Sequence, residues 1–204
     1  MTKLILIRHG QTEWNLKGRY QGQSDIALSE KGREQAKQLA AHFPVQSVDA
    51  FYASDLTRAM DTAAAVATSF DKEVQPIKEL REIHFGKWEG LTYPEICAGW
   101  PDESKNFFSN PEHADIPDGE TFTEVQNRGV QAVLKIVSLH PEQTVAITAH
   151  GGILRTILAE ALHMPMQYMW TMRQDNTAVN IIHYDENYRM IELLNSTAHL
   201  HTMK

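Results

Sequence analysis

The stretch LILIRHGQTEWN (residues 4–15) joins an apolar run to an arginine and a histidine. Residues 3–7 read KLILI, and a short apolar run bounded by polar residues is typical of a strand buried on both faces. Arg8 and His9 therefore stand where this strand leaves the core. Because a guanidinium at such a position needs oxygen partners, the strand end is a candidate anion site.

Segments with the spacing of helices and strands alternate along the rest of the chain. Ser29 is a predicted N-cap, and Thr121 and Glu124 form a capping-box pattern. Helices are predicted at residues 29–43, 56–70, 121–140 and 151–162, and further strands at residues 49–54, 73–77, 144–150, 177–185 and 188–195. The last two strands are expected to pair as a hairpin around ENY (186–188). This alternation predicts an α/β fold with helices on both faces of a sheet.

The overall charge narrows the classes of ligand. Asp and Glu outnumber Lys and Arg by 26 to 19, which gives a formal net charge of −7. Nucleic acid and acidic membranes bind basic surfaces, so neither is an expected partner. An anionic ligand must instead be bound by a local cluster of arginines.

Cysteine usage and hydropathy point to an ordinary intracellular protein. Cys97 is the only cysteine, so the sequence offers neither an intramolecular disulfide nor a thiolate metal cage. No secretory pattern follows Lys3, and no apolar stretch approaches the roughly 20 residues of a membrane span. We therefore expect a cytoplasmic location.

Residues that carry chemistry follow three of the predicted strands. Arg8 and His9 end the first, Arg58 stands early in the helix after the strand at 49–54, and His150 and Gly151 follow the strand at 144–150. Ligands of α/β sheets bind at the carboxyl ends of the strands. Two guanidinium groups and the free amides of a helix N-terminus suit a phosphate group.

Two functions compete for the histidines of this edge. His9 could be a core histidine satisfied by the backbone. Next to Arg8, however, its imidazole should stay neutral, and neutral imidazole is a nucleophile towards phosphorus. His150 could donate a hydrogen bond to the phosphoryl oxygens or orient them.

A proton donor for the leaving oxygen is expected in LREIHFGKWEGLT (residues 80–92). Both Glu82 and Glu89 are candidates, and either could be an ordinary surface carboxylate. A catalytic acid would need a raised pKa, for example from burial beside Phe85 and Trp88. The spacing of the two glutamates does not choose between them.

Five blocks of the sequence resemble, in order, the conserved blocks of the histidine phosphatase superfamily, also called the phosphoglycerate mutase-like family. They are LIRHGQTEWN (6–15), SDIALSEKG (24–32), YASDLTRAMDTA (52–63), LREIHFGKWEGLT (80–92) and TAHGGILRTI (148–157). The resemblance implies a three-layer α/β/α fold. Its sheet would be mixed and mostly parallel, with one strand running against the rest.

The resemblance also implies a role for each site residue. His9 matches the nucleophile that becomes phosphohistidine, and Glu82, in its L-x-E-x-x-F-G setting, matches the proton donor. Arg8, Arg58 and His150 match the phosphate pocket and take part in catalysis. Asn15, Gln21 and Gly151 match further phosphate-binding positions. No metal and no cofactor are implied, because the cationic side chains stabilise the charge.

The family contains more than one activity. The block FGKWEGL resembles the broad-specificity and α-ribazole phosphatase branch, so a metal-independent phosphomonoesterase acting on a small phosphorylated metabolite is the expected function. The alternative is a cofactor-dependent phosphoglycerate mutase, although such enzymes generally have a larger insertion and a longer C-terminal tail. A non-catalytic phosphate-binding member is less favoured, because the nucleophile and the acid are both present.

The substrate depends on residues at about 90–120. Prolines at positions 94, 101, 111 and 117 indicate an insertion with short helices, within one domain over residues 1–204, that caps the active site. Trp100, Phe107 and Phe108 either roof the pocket or form a small core of the insertion. If they face the pocket, an aromatic or apolar ester is favoured over a small triose. The candidates are α-ribazole phosphate, aryl phosphates, nucleotides and sugar phosphates; the oligomeric state is not readable from the sequence.

Overall fold

A computed structural model describes residues 1–185 and 188–201 of the chain. In these residues six strands form one sheet in the order β3-β2-β4-β1-β5-β6. They are β1 (Thr2–Arg8), β2 (Ala50–Ala53), β3 (Val74–Pro76), β4 (Thr144–Ala149), β5 (Val179–Tyr184) and β6 (Arg189–Ser196). Strand β5 is antiparallel to both of its neighbours, whereas the other pairs are parallel. The mixed, mostly parallel sheet with one opposed strand is therefore confirmed.

Helices surround this sheet. The α-helices are α1 (Glu13–Leu16), α2 (Glu30–Ala41), α3 (Thr57–Ala67), α4 (Tyr93–Gly99), α5 (Glu103–Ser109), α6 (Phe122–Leu139) and α7 (Gly151–Ala161). Short 3-10 turns lie at Thr68–Phe70, Lys78–Leu80, Gly86–Trp88, Pro111–His113, Met166–Thr171 and Ala198–Leu200. None of the described helices is long and apolar enough to cross a membrane.

The alternation of side chains along β1 creates two separate cores. Leu4 and Leu6 pack into the cluster that contains residues of α6 and α7, whereas Ile5 and Ile7 pack into the cluster with residues of α2 and α3. All four side chains are fully buried, and each such burial stabilises the fold by roughly 1.5–3 kcal/mol. The helix–sheet–helix arrangement confirms the predicted three-layer α/β/α fold.

Hydrogen bonds at the helix N-termini agree with the predicted caps. Helix α2 begins at Glu30, directly after Ser29, and the Ser29 hydroxyl accepts a 3.0 Å hydrogen bond from the amide of Gly32. Thr121 and Glu124 exchange the two bonds of a capping box at the start of α6. These side chains satisfy amides that would otherwise lack an intrahelical partner.

Several element boundaries differ from the prediction. The strand expected at 73–77 is observed only at Val74–Pro76, at the edge of the sheet, where a proline is tolerated. The helix expected at 56–70 changes to a 3-10 turn after Ala67. Short helices do occupy residues 90–120. The hairpin of β5 and β6 is confirmed, while residues 186–187 of its expected ENY turn lie outside the described residues.

Candidate active site

The register of β1 on β4 brings two histidines together. The strands are parallel, with Arg8 opposite Ala149, and the amide of His9 donates a 3.0 Å hydrogen bond to the carbonyl of Ala149. His9 and His150 are therefore neighbours at the carboxyl edge of the sheet. Their ring centroids lie 5.1 Å apart, and both side chains are buried.

One hydrogen bond defines the state of the His9 ring. Nδ1 of His9 lies 2.7 Å from the carbonyl oxygen of Gly10, so this nitrogen carries the proton and donates it. Nε2 then keeps its lone pair. Burial, reinforced by the charges of Arg58 and Arg8, lowers the pKa of His9 well below its usual value. The ring is therefore neutral and nucleophilic at neutral pH.

Arg58 is fully buried beside this ring. Its two terminal nitrogens donate 2.8 Å hydrogen bonds to the carbonyls of Gly22 and Ser24. Burial lowers the pKa of Arg58 to about 10, against the opposing effect of Glu82, so the guanidinium remains charged at neutral pH. The fixed side chain thus supplies a positive charge in a site of low dielectric constant.

Arg8 supplies a second charge from the end of β1. Its Nη1 donates a 2.6 Å bond to the carbonyl of Gln174, and burial together with Arg155 lowers its pKa to about 10. Nε of Arg8, Nε of Arg58 and both ring nitrogens of His150 are buried without a hydrogen-bond partner among the described residues. Since buried polar atoms are nearly always paired, this cluster is suited to an oxyanion.

Glu82 lies at the N-terminus of α7. Its carboxylate accepts hydrogen bonds from the amides of Ile83 (3.1 Å), Gly152 (2.9 Å) and Ile153 (3.0 Å). The sequence suggested burial beside Phe85 and Trp88 as a possible environment for a catalytic acid, whereas the hydrogen-bond partners of Glu82 are backbone amides. The amides hold the carboxyl group in one orientation at the edge of the cavity that also contains His9.

Glu89 has a different environment, which separates it from Glu82. Its carboxylate accepts bonds from the amides of Gln23 (2.9 Å), Ser24 (3.0 Å) and Phe85 (3.2 Å), and from the Ser24 hydroxyl. The loop that it anchors provides the carbonyl acceptors of Arg58. Glu89 therefore builds the arginine site and does not line the cavity.

The amide side chains of Asn15 and Gln21 are oriented by Thr12. Oδ1 of Asn15 accepts a 3.1 Å bond from the Thr12 amide and a 3.2 Å bond from Asn176, and Oε1 of Gln21 accepts a 2.8 Å bond from the Thr12 hydroxyl. Their oxygens are thus occupied, which leaves the NH₂ groups as donors. Both residues line the cavity with His9.

Most of the predicted site residues line one cavity of about 250 Å³. Its lining includes Arg8, His9, Asn15, Gln21, Arg58, Glu82 and Gly151. His150 is not among the lining residues, but its ring lies against that of His9 and both of its nitrogens are unpaired among the described residues. No group of three or more His, Cys, Asp or Glu side chains able to hold a metal ion occurs among residues 1–185 and 188–201.

Three further residues of the same cavity, Arg19, Arg155 and Trp170, were not predicted from the sequence. Phe107 and Phe108 of α5, which the sequence offered as a possible roof of the pocket, also line it. Trp100 packs against the core cluster and is not part of the lining. Arg155 could have been identified from its spacing, because it follows Gly151 by four residues and the two therefore lie on the same face of α7.

Arg155 connects two sides of the cavity. Its Nη1 donates a 3.0 Å hydrogen bond to the carbonyl of Gly151, and its Nε donates a 2.8 Å bond to the carbonyl of Met172. The guanidinium also lies 5.3 Å from the ring centroid of Trp170, whose indole nitrogen donates to the carbonyl of Phe107. A further positive charge thus faces the part of the cavity that is bounded by aromatic rings.

Comparison with known proteins agrees with this geometry. Residues 4–197 match the model of the histidine phosphatase superfamily (branch 1). The chain belongs to this family. Phosphoserine phosphatase 1 of Hydrogenobacter thermophilus is 34% identical over 98% of this chain and 95% of its own length. The metal-independent phosphoserine phosphatase of Arabidopsis thaliana is 34% identical over 98% and 84%, respectively.

Solved structures give the same result. A phosphoserine phosphatase mutant from Entamoeba histolytica, in complex with phosphoserine, is 33% identical and superposes with a TM-score of 0.89 over 98% of this chain and 100% of that chain. Compared by sequence alone, the adenosylcobalamin/α-ribazole phosphatase of Escherichia coli is 30% identical over 96% of this chain and 97% of its own length. The protein is thus a phosphomonoester hydrolase of a family that works through phosphohistidine, as the sequence predicts.

Proposed function

We propose that this enzyme hydrolyses a small phosphomonoester without a metal ion, with His9 as the nucleophile. The observation that carries the proposal is the buried His9 ring, which donates from Nδ1 to Gly10 and keeps Nε2 free beside two arginines. A neutral imidazole that is fixed in this way can attack phosphorus in line with the ester oxygen.

The first half-reaction moves the phosphoryl group to His9. Nε2 of His9 forms a bond to phosphorus while the bond from phosphorus to the ester oxygen breaks. Arg8 and Arg58 neutralise the charge on the transferred oxygens, and His150 donates to one of them. Glu82, protonated in this step, gives its proton to the leaving alkoxide, which departs as an alcohol.

The second half-reaction regenerates the enzyme. The Glu82 carboxylate accepts a proton from a water molecule as that water attacks phosphorus, and the bond from phosphorus to Nε2 breaks. Asn15, Gln21 and the amide of Gly151 donate hydrogen bonds to the phosphoryl oxygens throughout. Inorganic phosphate and a neutral His9 result.

The substrate proposed here is a phosphoserine-sized ester that carries a carboxylate. A cavity of about 250 Å³ suits a molecule of this size, and the guanidinium groups of Arg19 and Arg155 supply charge beyond the phosphate-binding cluster. Relatives named as phosphoserine phosphatases support the same choice. The cytoplasmic location expected from the sequence belongs to this proposal.

A larger aromatic ester, such as α-ribazole phosphate, is a second candidate. Phe108, which the short helices of residues 90–120 bring to the cavity, provides a surface for an aromatic ring together with Trp170. The buried ring of Phe107 packs against both. We propose that this region caps the active site and selects the organic group. Phosphoglycerate mutase activity, in which the phosphoryl group returns to the substrate, is the alternative for the same catalytic residues.

A phosphate-release assay in the presence of a chelator tests these proposals. O-phosphoserine, 3-phosphoglycerate, α-ribazole phosphate and p-nitrophenyl phosphate would be compared by kcat/KM, and 3-phosphoglycerate would also be followed for isomerisation. We expect rapid release from phosphoserine and a trapped phosphohistidine that is absent from His9→Ala. Isomerisation without release would establish a mutase, and loss of activity with chelator would contradict the metal-free mechanism.

A further inference from the structure

Arg128, on α6, uses every donor of its guanidinium group. Nε donates to Glu120 Oε1 (2.8 Å), Nη1 donates to the carbonyls of Glu79 (2.7 Å) and Arg81 (2.6 Å), and Nη2 donates to the carbonyl of Glu82 (2.9 Å) and to Glu120 Oε2 (2.8 Å). An arginine has five N–H bonds, so none is left over. Three of the five bind the backbone that ends at Glu82.

Glu82 is consequently held at both ends. Arg128 binds its main-chain carbonyl from α6, while the amides of Gly152 and Ile153 bind its carboxylate from the N-terminus of α7. The two helices pack against each other. Any change in the position of the backbone at residue 82 would therefore move the carboxyl group relative to α7 and to the cavity.

Glu120, the ion-pair partner of Arg128, binds the backbone on the C-terminal side of Glu82. Its Oε2 accepts a 2.8 Å bond from the amide of His84 and a 3.4 Å bond from the side chain of Gln23. Although burial opposes its ionisation, the hydrogen bonds from Arg128 and His84 lower the pKa of Glu120. The charged Glu120 carboxylate thus binds the backbone amide of residue 84, two residues after Glu82. Arg128 binds the backbone carbonyls of residues 79, 81 and 82.

We infer that the ion pair of Arg128 and Glu120 positions Glu82 for proton transfer to the leaving oxygen. The inference rests on the proposed function, in which Glu82 is the proton donor. Partly exposed ion pairs contribute little to stability as a rule. This pair, however, makes four hydrogen bonds to the backbone of residues 79–84, three from Arg128 and one to Glu120, which points to a geometric role. A displacement of a catalytic group by about 1 Å can cost roughly a hundredfold in rate.

The test compares two esters that differ in their need for an acid. An alkyl phosphate such as phosphoserine requires protonation of its leaving oxygen, whereas p-nitrophenolate leaves readily without it. Arg128→Met is expected to lower kcat with phosphoserine ten- to a hundredfold more than kcat with p-nitrophenyl phosphate, with little change in KM for either. Arg128→Lys should not restore the ratio, because an ammonium group cannot bind the carbonyls and the carboxylate in one plane.

Arg189→Met is the matched control. Arg189 is also a partly buried arginine in an ion pair, with Glu160 near the far end of α7, and it lies over the ring of Tyr184. It should leave the ratio of the two esters unchanged. Glu120→Gln, which spares the backbone bonds of Arg128, should change the ratio in the same direction by a smaller factor, and it replaces Arg128→Met if that variant does not fold.

A double-mutant cycle with Glu82→Gln separates this inference from the proposed function. If Arg128 acts through Glu82, Arg128→Met should not change the ester ratio further in the Glu82→Gln background. A Glu82→Gln variant with equal losses for both esters would overturn the proton-donor role and the inference together. The positioning role alone would be overturned if Glu82→Gln selectively slowed phosphoserine hydrolysis while Arg128→Met slowed both esters equally. It would also be overturned if Arg128→Met changed the ester ratio as much in the Glu82→Gln background as in the wild type.

Discussion

Nδ1 of His9 donates a 2.7 Å hydrogen bond to the carbonyl of Gly10, the residue that follows it in the chain. The bond within this short turn leaves Nε2, the nitrogen that we propose as the nucleophile, without the proton. Because the acceptor is a main-chain oxygen, the orientation of the ring does not depend on a second titrating side chain. Burial, reinforced by the charges of Arg58 and Arg8, lowers the pKa of His9 and so keeps the ring neutral.

The first prediction concerns the protonation of His9. Its pKa lies well below the usual 6.5, so the ring should stay neutral, with the proton on Nδ1, as the pH falls through 6.5. Nitrogen-15 NMR of histidine-labelled enzyme, assigned with the His9→Ala variant, measures this directly. A His9 signal that titrates at or above pH 6.5 would contradict the prediction.

The same shift has a consequence for stability. The unfolded chain takes up a proton on this residue near pH 6.5, whereas the folded protein does so only at lower pH. The free energy of unfolding should therefore decrease as the pH falls below 6.5, and the contribution is complete only above that value. Denaturant unfolding at pH 7.5 and pH 5.5 should show that the free energy of unfolding falls less between these pH values in His9→Ala than in the wild type.

The second prediction separates the two glutamates of residues 80–92. Glu82→Gln should lower kcat/KM for phosphoserine by about 10²–10⁴-fold and lower it much less for p-nitrophenyl phosphate. Glu89→Gln weakens the loop that holds Arg58, so both esters should lose activity equally and vanadate should bind more weakly. Equal ester losses in Glu82→Gln, or a selective loss in Glu89→Gln, would reverse the assignment.

The third prediction uses two glycines with similar backbone angles. Gly22 (φ +53°) and Gly18 (φ +64°) both adopt the left-handed conformation, in which a side chain costs about 1–2 kcal/mol. A Cβ at Gly22 would lie 2.0 Å from Oε1 of Glu89, while a Cβ at Gly18 meets nothing within 4 Å. Gly22→Ala should thus destabilise the protein more than Gly18→Ala, and it should weaken the binding of vanadate, a phosphate analogue, more strongly. Denaturant unfolding and vanadate inhibition measure the two effects.

The parts of the fold that the sequence predicts are those with local signals. The apolar run of β1 and the capping pattern at Thr121 define elements without knowledge of their partners. The convergence of His9 and His150 follows from a general rule for parallel strands, so it was predictable as well. The spacing of Glu82 and Glu89 in the sequence could not show which of them is the acid, because their hydrogen-bond partners lie elsewhere in the chain.

Arg128 and Arg155 illustrate what local patterns cannot provide. Each stands within a predicted helix, where an arginine is ordinarily a solvated residue. Their roles depend on the packing of α6 and α7 against each other, which brings Arg128 to the backbone of Glu82 and Arg155 to the wall of the cavity. Such contacts between distant segments become visible only once the helices are assembled.

The final prediction concerns the two adjacent phenylalanines of α5. Phe107 is 1% exposed and contacts Phe122 and Trp170, so Phe107→Ala should lower the free energy of unfolding by about 3–5 kcal/mol. Phe108 is 45% exposed and lies at the cavity, so Phe108→Ala should leave stability nearly unchanged. Denaturant unfolding of the two variants checks this contrast.

The capping role that we propose for α5 predicts a further effect of Phe108 on substrate preference. If its ring contacts the organic group of the substrate, Phe108→Ala should lower kcat/KM for α-ribazole phosphate more than for phosphoserine, because only the former offers an aromatic face. Leu162→Ala, at a residue equally exposed but outside the cavity lining, is the control and should alter neither rate. An unchanged ratio in Phe108→Ala would mean that α5 contributes to the folded core without selecting the substrate.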